Sequence, residues 1–324
     1  MDFLSFLVKT KKVLKNIVLP LTQLGITQSD IAQQFMSTVF FCADDYALNK
    51  PISQAIVQLI EDGRLQATSC MTQSELWEAH GLKLREVRSA HPYTQIGLHF
   101  NLTHHFSDGM LTMTLGRLML NAWLGGLSRA AIEKTLAYQW QRFVDVMGRA
   151  PDFIDGHQHV HQFPVIRDVL LTFLTNKGFS GWIRSLSHTV ETPSFFLKSK
   201  MLSLLGARTL SVECEDLHFK QNARFGGIYD FSNLVPYPAL VQHWLSRANN
   251  NKSSMSDPKD VQHSLLIMCH PAVDKSDPTD TIAPARVREY NYLASHQFIQ
   301  DCVNNDITFT QFTTKRSGGD LNVP

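Results

Sequence analysis

The sequence is short of the features that assign function quickly. No run approaches the roughly 18–20 uninterrupted apolar residues that cross a bilayer, so no transmembrane segment is expected. Cysteine is scarce and badly spaced for cross-linking: Cys42, Cys70, Cys214, Cys269 and Cys302 are odd in number, far apart and contain no CxxC. That excludes a disulfide frame and a thiolate zinc site, and points to buried free thiols in a reducing, cytoplasmic setting. Neither GxGxxG nor GxxxxGK(S/T) occurs, which removes the usual phosphate-cradling loops. Charge nearly cancels, at a formal net +1, so no field draws in nucleic acid or an acidic partner.

What is present is globular: 44% hydrophobic and 18% charged residues over 324 positions, room for one large α/β domain or two small ones. Met1-Asp2-Phe3-Leu4-Ser5-Phe6-Leu7-Val8 precedes Lys9, Lys11, Lys12 and Lys15, the reverse order of a secretory signal. Residues 1–36 are expected to be a helical extension packed on a single domain of residues 37–324. Contact of its apolar stripe (Phe3, Phe6, Leu7, Leu14) with a membrane surface is the lesser reading.

Thr38-Val-Phe-Phe-Cys42 is a continuous β-prone run, as in a strand covered on both faces of a parallel sheet. A helix follows, capped by Asn49, opened by Pro51 and stopped at Gly63, with Ile52, Ala55, Ile56, Leu59 and Ile60 on one face. Residues 67–71 and 95–102 read as further strands, and 103–127 as a long loop with some helix. Ser128 to Gly148 bound a helix with the stripe Ile132, Leu136, Trp140, Phe143 and Met147. Phe153-Ile154-Asp155 is a strand, Pro164 to Gly178 bound a helix, and Gly181–Arg184 is a short strand. Residues 185–235 give no clear pattern, and the polar stretch 249–260 reads as a surface loop. Ser264–Cys269 is a buried strand, with one helical segment near 285–303 and a strand near 306–312 after it. Strands alternating with helices predict a parallel sheet, and polar residues gather after the strands' C-terminal ends, where α/β barrels place their sites.

Fourteen histidines is a high number, and they bunch near 99–105, 157–161 and 263–270. Asp155-Gly156-His157-Gln158-His159-Val160-His161 is the densest stretch. On an extended chain its three histidines would face one cavity. Asp44 and Asp45 would point oppositely, suiting two jobs, although an Asp-Asp pair alone reads as a cap or turn. Together with His99 and His270, these strand ends have the chemistry of a divalent metal held by three N/O ligands with a position for water. A spare carboxylate would act as base and a separate histidine as acid.

Ala43-Asp44-Asp45-Tyr46, Ile96-Gly97-Leu98-His99-Phe100-Asn101-Leu102, the Asp155–His161 run and Cys269-His270-Pro271 occur in this order. In that combination the chain resembles the YdjC-like carbohydrate deacetylases from about Thr38 onward. The resemblance implies a distorted (β/α) barrel, with its site at the C-terminal strand ends, and metal-dependent removal of N-acetyl groups from amino sugars. It implies Asp45, His99 and His157 as metal ligands, Asp44 as the base and His270 as the acid. Asp155, His159 and His161 would orient ligands or touch substrate, and Arg184 would contact substrate. Two His and one Asp suit Zn2+ or Co2+, while the family is often described with Mg2+. The family's usual Asp-Asp-Phe-Gly is here Asp44-Asp45-Tyr46-Ala47, which puts alanine where glycine relaxes the backbone.

The rival readings are another metal-dependent amide hydrolase and a non-catalytic carbohydrate-binding relative. An amidohydrolase would open with His-x-His on its first strand, and binding alone needs neither Asp44 nor His270. Phe100, Phe106, Trp123, Phe225, Tyr229 and Tyr237 are candidates to stack on a sugar, about half of them expected in the core instead. Oligomeric state is not legible, and a dimer is compatible with the sequence.

Overall fold

The structure is a computed structural model that describes residues 37–248 and 264–308. The expected extension 1–36 and the loop 249–260 lie outside the described residues.

Strand β1 (Ser37–Tyr46) is the centre of the molecule, longer at both ends than its β-prone run suggested. It pairs in parallel with β2 (Ala67–Cys70) on one side and β8 (Leu265–Cys269) on the other. The sheet continues through β3 (Gln95–Phe100), β4 (Phe153–Gly156), β5 (Trp182–Ile183) and β6 (Lys220–Gln221). Beyond β8 lies β7 (Arg224–Gly226), giving the order β6-β5-β4-β3-β2-β1-β8-β7, with β9 (Ile307–Thr308) paired to the start of β1. All pairs are parallel. The segment after β5 spans the gap to β7, where Val190 N–H donates to Phe225 O and Phe225 N–H to His188 O. The result is the expected distorted (β/α) barrel.

Helix α1 (Lys50–Glu61) forms where the sequence placed it. The Asn49 side chain accepts from Ile52 N–H at 3.0 Å, Pro51 occupies the first turn, and the five apolar residues are buried. Each of the isoleucines and the leucine contributes about 1.5–3 kcal/mol by leaving water, and Ala55 less. Helix α2 (Trp77–Ala90) was not foreseen, because it buries only Trp77, Gly81, Leu84 and Val87. Helices α3 (Leu115–Leu124) and α4 (Arg129–Met147) follow, the latter capped by Ser128 and ended by Gly148 in left-handed backbone. Helix α5 (Ile166–Asn176) starts two residues after Pro164, since Val165 is left-handed (φ 67°). Helices α6 (Phe196–Leu202) and α7 (Arg208–Asp216) lie in the region the sequence left open, and α8 (Tyr237–Ala248) follows it. The single helix expected near 285–303 is two, α9 (Ala283–Leu293) and α10 (His296–Asn304). Ser295 breaks it: its N–H bonds back to Tyr292 O and its hydroxyl caps Phe298 N–H at 3.3 Å.

Period-two alternation sorts the strand residues. Val39, Phe41 and Ala43 of β1 pack with the helices, whereas Phe40 and Cys42 join Phe153, Trp182, Phe225, Leu266 and Met268 inside the barrel. The Phe153 and Trp182 rings stack at 4.2 Å in that interior.

Candidate metal and catalytic site

The site is the top layer of this interior. Two residues beyond Cys42 comes Asp44, two beyond Gly97 comes His99, and Asp155, Arg184 and His270 follow Phe153, Trp182 and Met268 in the same way. The alternation that aims apolar side chains at the axis aims these polar ones there too.

By the same alternation Asp45 would face outward beside Ala43, but it does not. The register of β1 against β2 is interrupted between Ala43 and Tyr46, and Asp45 and Ala47 take left-handed φ of 69° and 70°. This bulge swings Asp45 back, so both carboxylates line one cavity. The opposite orientations expected on an extended chain are therefore corrected. The bulge positions Ala47 where the family's glycine would carry no Cβ penalty.

Asp45 Oδ1 lies 3.1 Å from His157 Nδ1 and 3.4 Å from His99 Nε2, and the two nitrogens are 3.3 Å apart. Three donors with these separations match the vertices of one coordination sphere with metal–ligand distances of about 2.1 Å. His99 presents Nε2 because its Nδ1 is held 2.6 Å from Asp155 Oδ1. Burial alone would lower the His99 pKa, but Asp155 and Asp45 outweigh it and raise it to about 10. Asp45 is also buried, yet Arg286 and His157 keep its carboxyl well below the usual range.

A second cluster, Cys42, Asp44 and Asp155, already has its cation. Arg184 Nη1 and Nη2 donate to Asp44 Oδ2 and Oδ1 at 2.7 and 2.6 Å. Nη2 is also 2.7 Å from Asp155 Oδ2 and 3.2 Å from Cys42 Sγ. Burial would raise the Asp44 pKa, but the guanidinium outweighs it and holds the carboxyl far below the ordinary value. Arg184 is fully buried and does not line the cavity. It anchors Asp44 and Asp155, so the expectation that it touches substrate is corrected.

The histidine run is not extended. Residues His157–Gln162 form a tight helical turn in which Gln158 and His159 are left-handed (φ 52° and 59°). Gly156 permits it, since a Cβ there would lie 2.8 Å from His161 N. His157 and His159 consequently face the cavity, while His161 turns away and donates from Nε2 to Arg184 O at 2.9 Å. The expected single-faced triplet is thus a pair plus a brace beneath it.

His270 borders the cavity with Nε2 3.9 Å from Asp44 Oδ2. Burial pushes its pKa down to about 4 against the pull of Asp44 and Asp45, so it is neutral near pH 7. Its backbone N–H donates to Glu289 Oε2 at 2.5 Å, and Tyr229 Oη donates to Glu289 Oε1 at the same distance. Burial raises Glu289 to about 7 despite these two donors.

The cavity, about 480 Å3, is completed by residues the sequence reading passed over. Arg286 donates from Nη2 to Asp45 Oδ2 at 2.7 Å and from Nε to Asp280 Oδ2 at 2.6 Å. Arg286 and Glu289 sit three apart on the buried face of α9, and two charges on the face a helix buries were the available signal. Of the six aromatic candidates, Tyr229 lines the cavity and Phe231, not anticipated, joins it. Phe100, Phe225 and Tyr237 are in the core, Phe106 is half-buried, and Trp123 lies on the surface against Phe163.

A family model described as YdjC-like protein matches residues 38–304. Chitooligosaccharide deacetylases of Escherichia fergusonii and Salmonella paratyphi B are 31% and 29% identical to this chain over 144 residues. The match covers 43% of this chain and 56% of theirs, so it spans a little over half the length of these curated relatives. A solved structure from Enterococcus faecalis V583, named for cellobiose-phosphate cleavage, superposes with a TM-score of 0.61 at 16% identity. That superposition covers 85% of this chain and 97% of the other, a likeness of fold alone. With the family match running from the first sheet strand to the last described helix, the chain belongs to the YdjC-like protein family.

Proposed function

We propose that this chain is a metal-dependent hydrolase that removes N-acetyl groups from amino sugars or acetylated glycoconjugates. The observation that carries the reading is the convergence of Asp45 Oδ1, His99 Nε2 and His157 Nδ1 within 3.4 Å of one another, with Asp44 on the adjoining wall. The printed activity of the curated relatives supports it. Those three residues would hold one divalent ion, Zn2+, Co2+ or Mg2+. When bound, such an ion acidifies a water and polarises the acetyl carbonyl.

The remaining steps belong to the protein. Asp44, kept ionised by Arg184, accepts the proton of the attacking water. A carboxylate held that low accepts a proton only from a strongly acidified donor, which matches base to ion. His270, neutral at rest with Nε2 3.9 Å from Asp44 Oδ2, takes up the proton that Asp44 received and, as the imidazolium, passes it to the departing nitrogen as the amide C–N bond breaks, releasing the free amine and acetic acid, which ionises to acetate. Tyr229 and Phe231 offer ring faces to the sugar, and the cavity volume is that of a small-ligand site. The five cysteines are free and buried, which supports a cytoplasmic location; no described helix is long and apolar enough to cross a membrane.

The test is acetate release from N-acetylglucosamine and its oligosaccharides before and after chelation and metal add-back. Release that stops with chelator and returns with one metal is expected. Metal bound but no acetate from any acetylated sugar would overturn the reading and favour a binding protein.

A further inference from the structure

The cavity is bordered by two helices whose outer faces are apolar. Leu115 of α3 and Lys198 and Leu202 of α6 line it. Further along α3, Leu120, Trp123 and Leu124 are exposed; along α6 and the turn after it, so are Phe196, Leu197, Met201 and Leu204. Leu197, Leu124 and Leu204 are 80%, 74% and 73% exposed. Among the described large hydrophobic residues only Leu234 exceeds them, at 83%, in the loop that brings Tyr229 and Phe231 to the cavity. Single exposed leucines need no explanation, but a group bordering one opening marks an interaction surface.

The two helices adjoin across the Gln162–Phe163 turn. Trp123 packs on Phe163 with ring centres 5.3 Å apart, and Gln162 Nε2 donates to Leu202 O at 3.0 Å. Gly206 (φ 102°) lies so near Gln162 O that a Cβ would clash at 2.1 Å.

Charge on both segments has one sign. Between Asp108 and Glu133 the chain holds Arg117 and Arg129 and no carboxylate; between Glu191 and Glu213 it holds Lys198, Lys200 and Arg208 and none. Arg129 and Lys200 pair outward with Asp168 and Glu191, and Lys198 turns to the cavity and Tyr229 O, leaving Arg117 and Arg208 as exposed cations. We infer that this rim is a docking surface for an anionic phospholipid bilayer. Its leucines and Trp123 enter the boundary between headgroups and chains, and its arginines meet phosphates. Resting on the deacetylase reading above, the acetylated sugar this chain takes is then one carried at a membrane surface.

The test mixes the full chain with vesicles of phosphatidylcholine alone or with phosphatidylglycerol, following co-sedimentation and tryptophan fluorescence. Trp77, Trp140, Trp182 and Trp244 are buried, so Trp123 is the exposed one of the five and a blue shift reports on this rim. Sedimentation with anionic vesicles and a blue shift that Trp123→Phe abolishes are expected. The double variant Leu124→Glu/Leu197→Glu, at positions outside the cavity lining, should bind anionic vesicles at least about tenfold more weakly. It should still release acetate from a soluble acetylated sugar at the unaltered rate. Undiminished vesicle binding by the double variant, or binding without a Trp123 shift, overturns the proposal by placing the contact elsewhere. Self-association without vesicle binding overturns it in favour of a second copy on the same face. Vesicle binding in a protein inactive on every sugar would uphold the docking surface and sink the deacetylase reading instead.

Discussion

Arg184 and Asp44 meet across the barrel axis as a two-pronged pair at 2.7 and 2.6 Å, the guanidinium wholly buried behind a carboxylate that lines the cavity. Asp155 shares the same guanidinium, at 2.7 Å. Removing the cation would leave two buried carboxylates facing each other without compensation. Arg184→Met is expected to cost about 3–5 kcal/mol of stability. Arg184→Lys should also be destabilised, because an ammonium cannot replace the planar fork. Urea denaturation of both variants measures this, and a loss below about 1 kcal/mol in the first, within the range of a surface pair, would refute the account.

Asp155 would act on the proposed ion site through His99. Asp155→Asn would donate from its amide to His99 Nδ1 and move the ring proton to Nε2, the atom that faces Asp45. Metal affinity is expected to fall about 10–100-fold. Titration of the metal-free variant by calorimetry reads this directly.

Asp44 stands outside the three converging donors, so Asp44→Asn should keep its metal and lose its turnover by a factor of about 10²–10⁴. Metal content and acetate release measured on the same sample separate the two effects. A variant that arrives without metal would show that Asp44 is a ligand.

Glu289 gives a signature in pH. Its folded pKa of about 7 is above the roughly 4.3 of an unfolded glutamate, so between these values the native state keeps a proton the unfolded chain has lost. Stability from this group is complete below the unfolded value, declines as pH rises through the window, and is level above it. The decline is on the order of 3 kcal/mol. Glu289→Gln should remove it, seen as the difference between the two proteins' denaturation midpoints at about pH 5 and pH 7.5. Parallel pH profiles for the two proteins would contradict the raised pKa.

Ala47 bears on how far the departure from the family's glycine matters. Its left-handed φ of 70° costs roughly 1–2 kcal/mol, while its buried methyl returns about 0.8 kcal/mol and its fixed backbone avoids glycine's entropy loss of about 0.5–1 kcal/mol. The terms nearly cancel. Ala47→Gly is expected to shift stability by less than about 1 kcal/mol and to leave acetate release unchanged, which thermal melts and the activity assay check together.

Much of the architecture was legible because it follows from short-range rules. Asn49, Ser128, Gly63 and Gly148 mark helix ends by their own side chains or backbone freedom. The polar residues at strand ends were legible as a group because they extend an alternation already set by Phe40, Cys42 and Phe153. Orientation was less legible. Asp45 turns inward on a bulge and Gln158 and His159 take left-handed backbone, conformations imposed by packing partners far away in sequence. The place of Arg184 was hidden for the same reason: Asp44 is 140 residues distant, and nothing near position 184 announces it. Arg286 and Glu289 were missed because a charged pair on a helix ordinarily means a wet face.

One peptide bond joins Asp44 to Asp45, and that bond lies in a strand paired on both sides within the sheet. The two carboxylates therefore move as a single casting: no hinge, loop swap or inserted segment can come between them. The parts of the mouth that carry Leu115, Lys198, Leu202 and Phe231, by contrast, are connections between strands and can be lengthened, trimmed or recast without disturbing that spacing. Such an arrangement lets a lineage change what it takes in while inheriting its reaction unaltered.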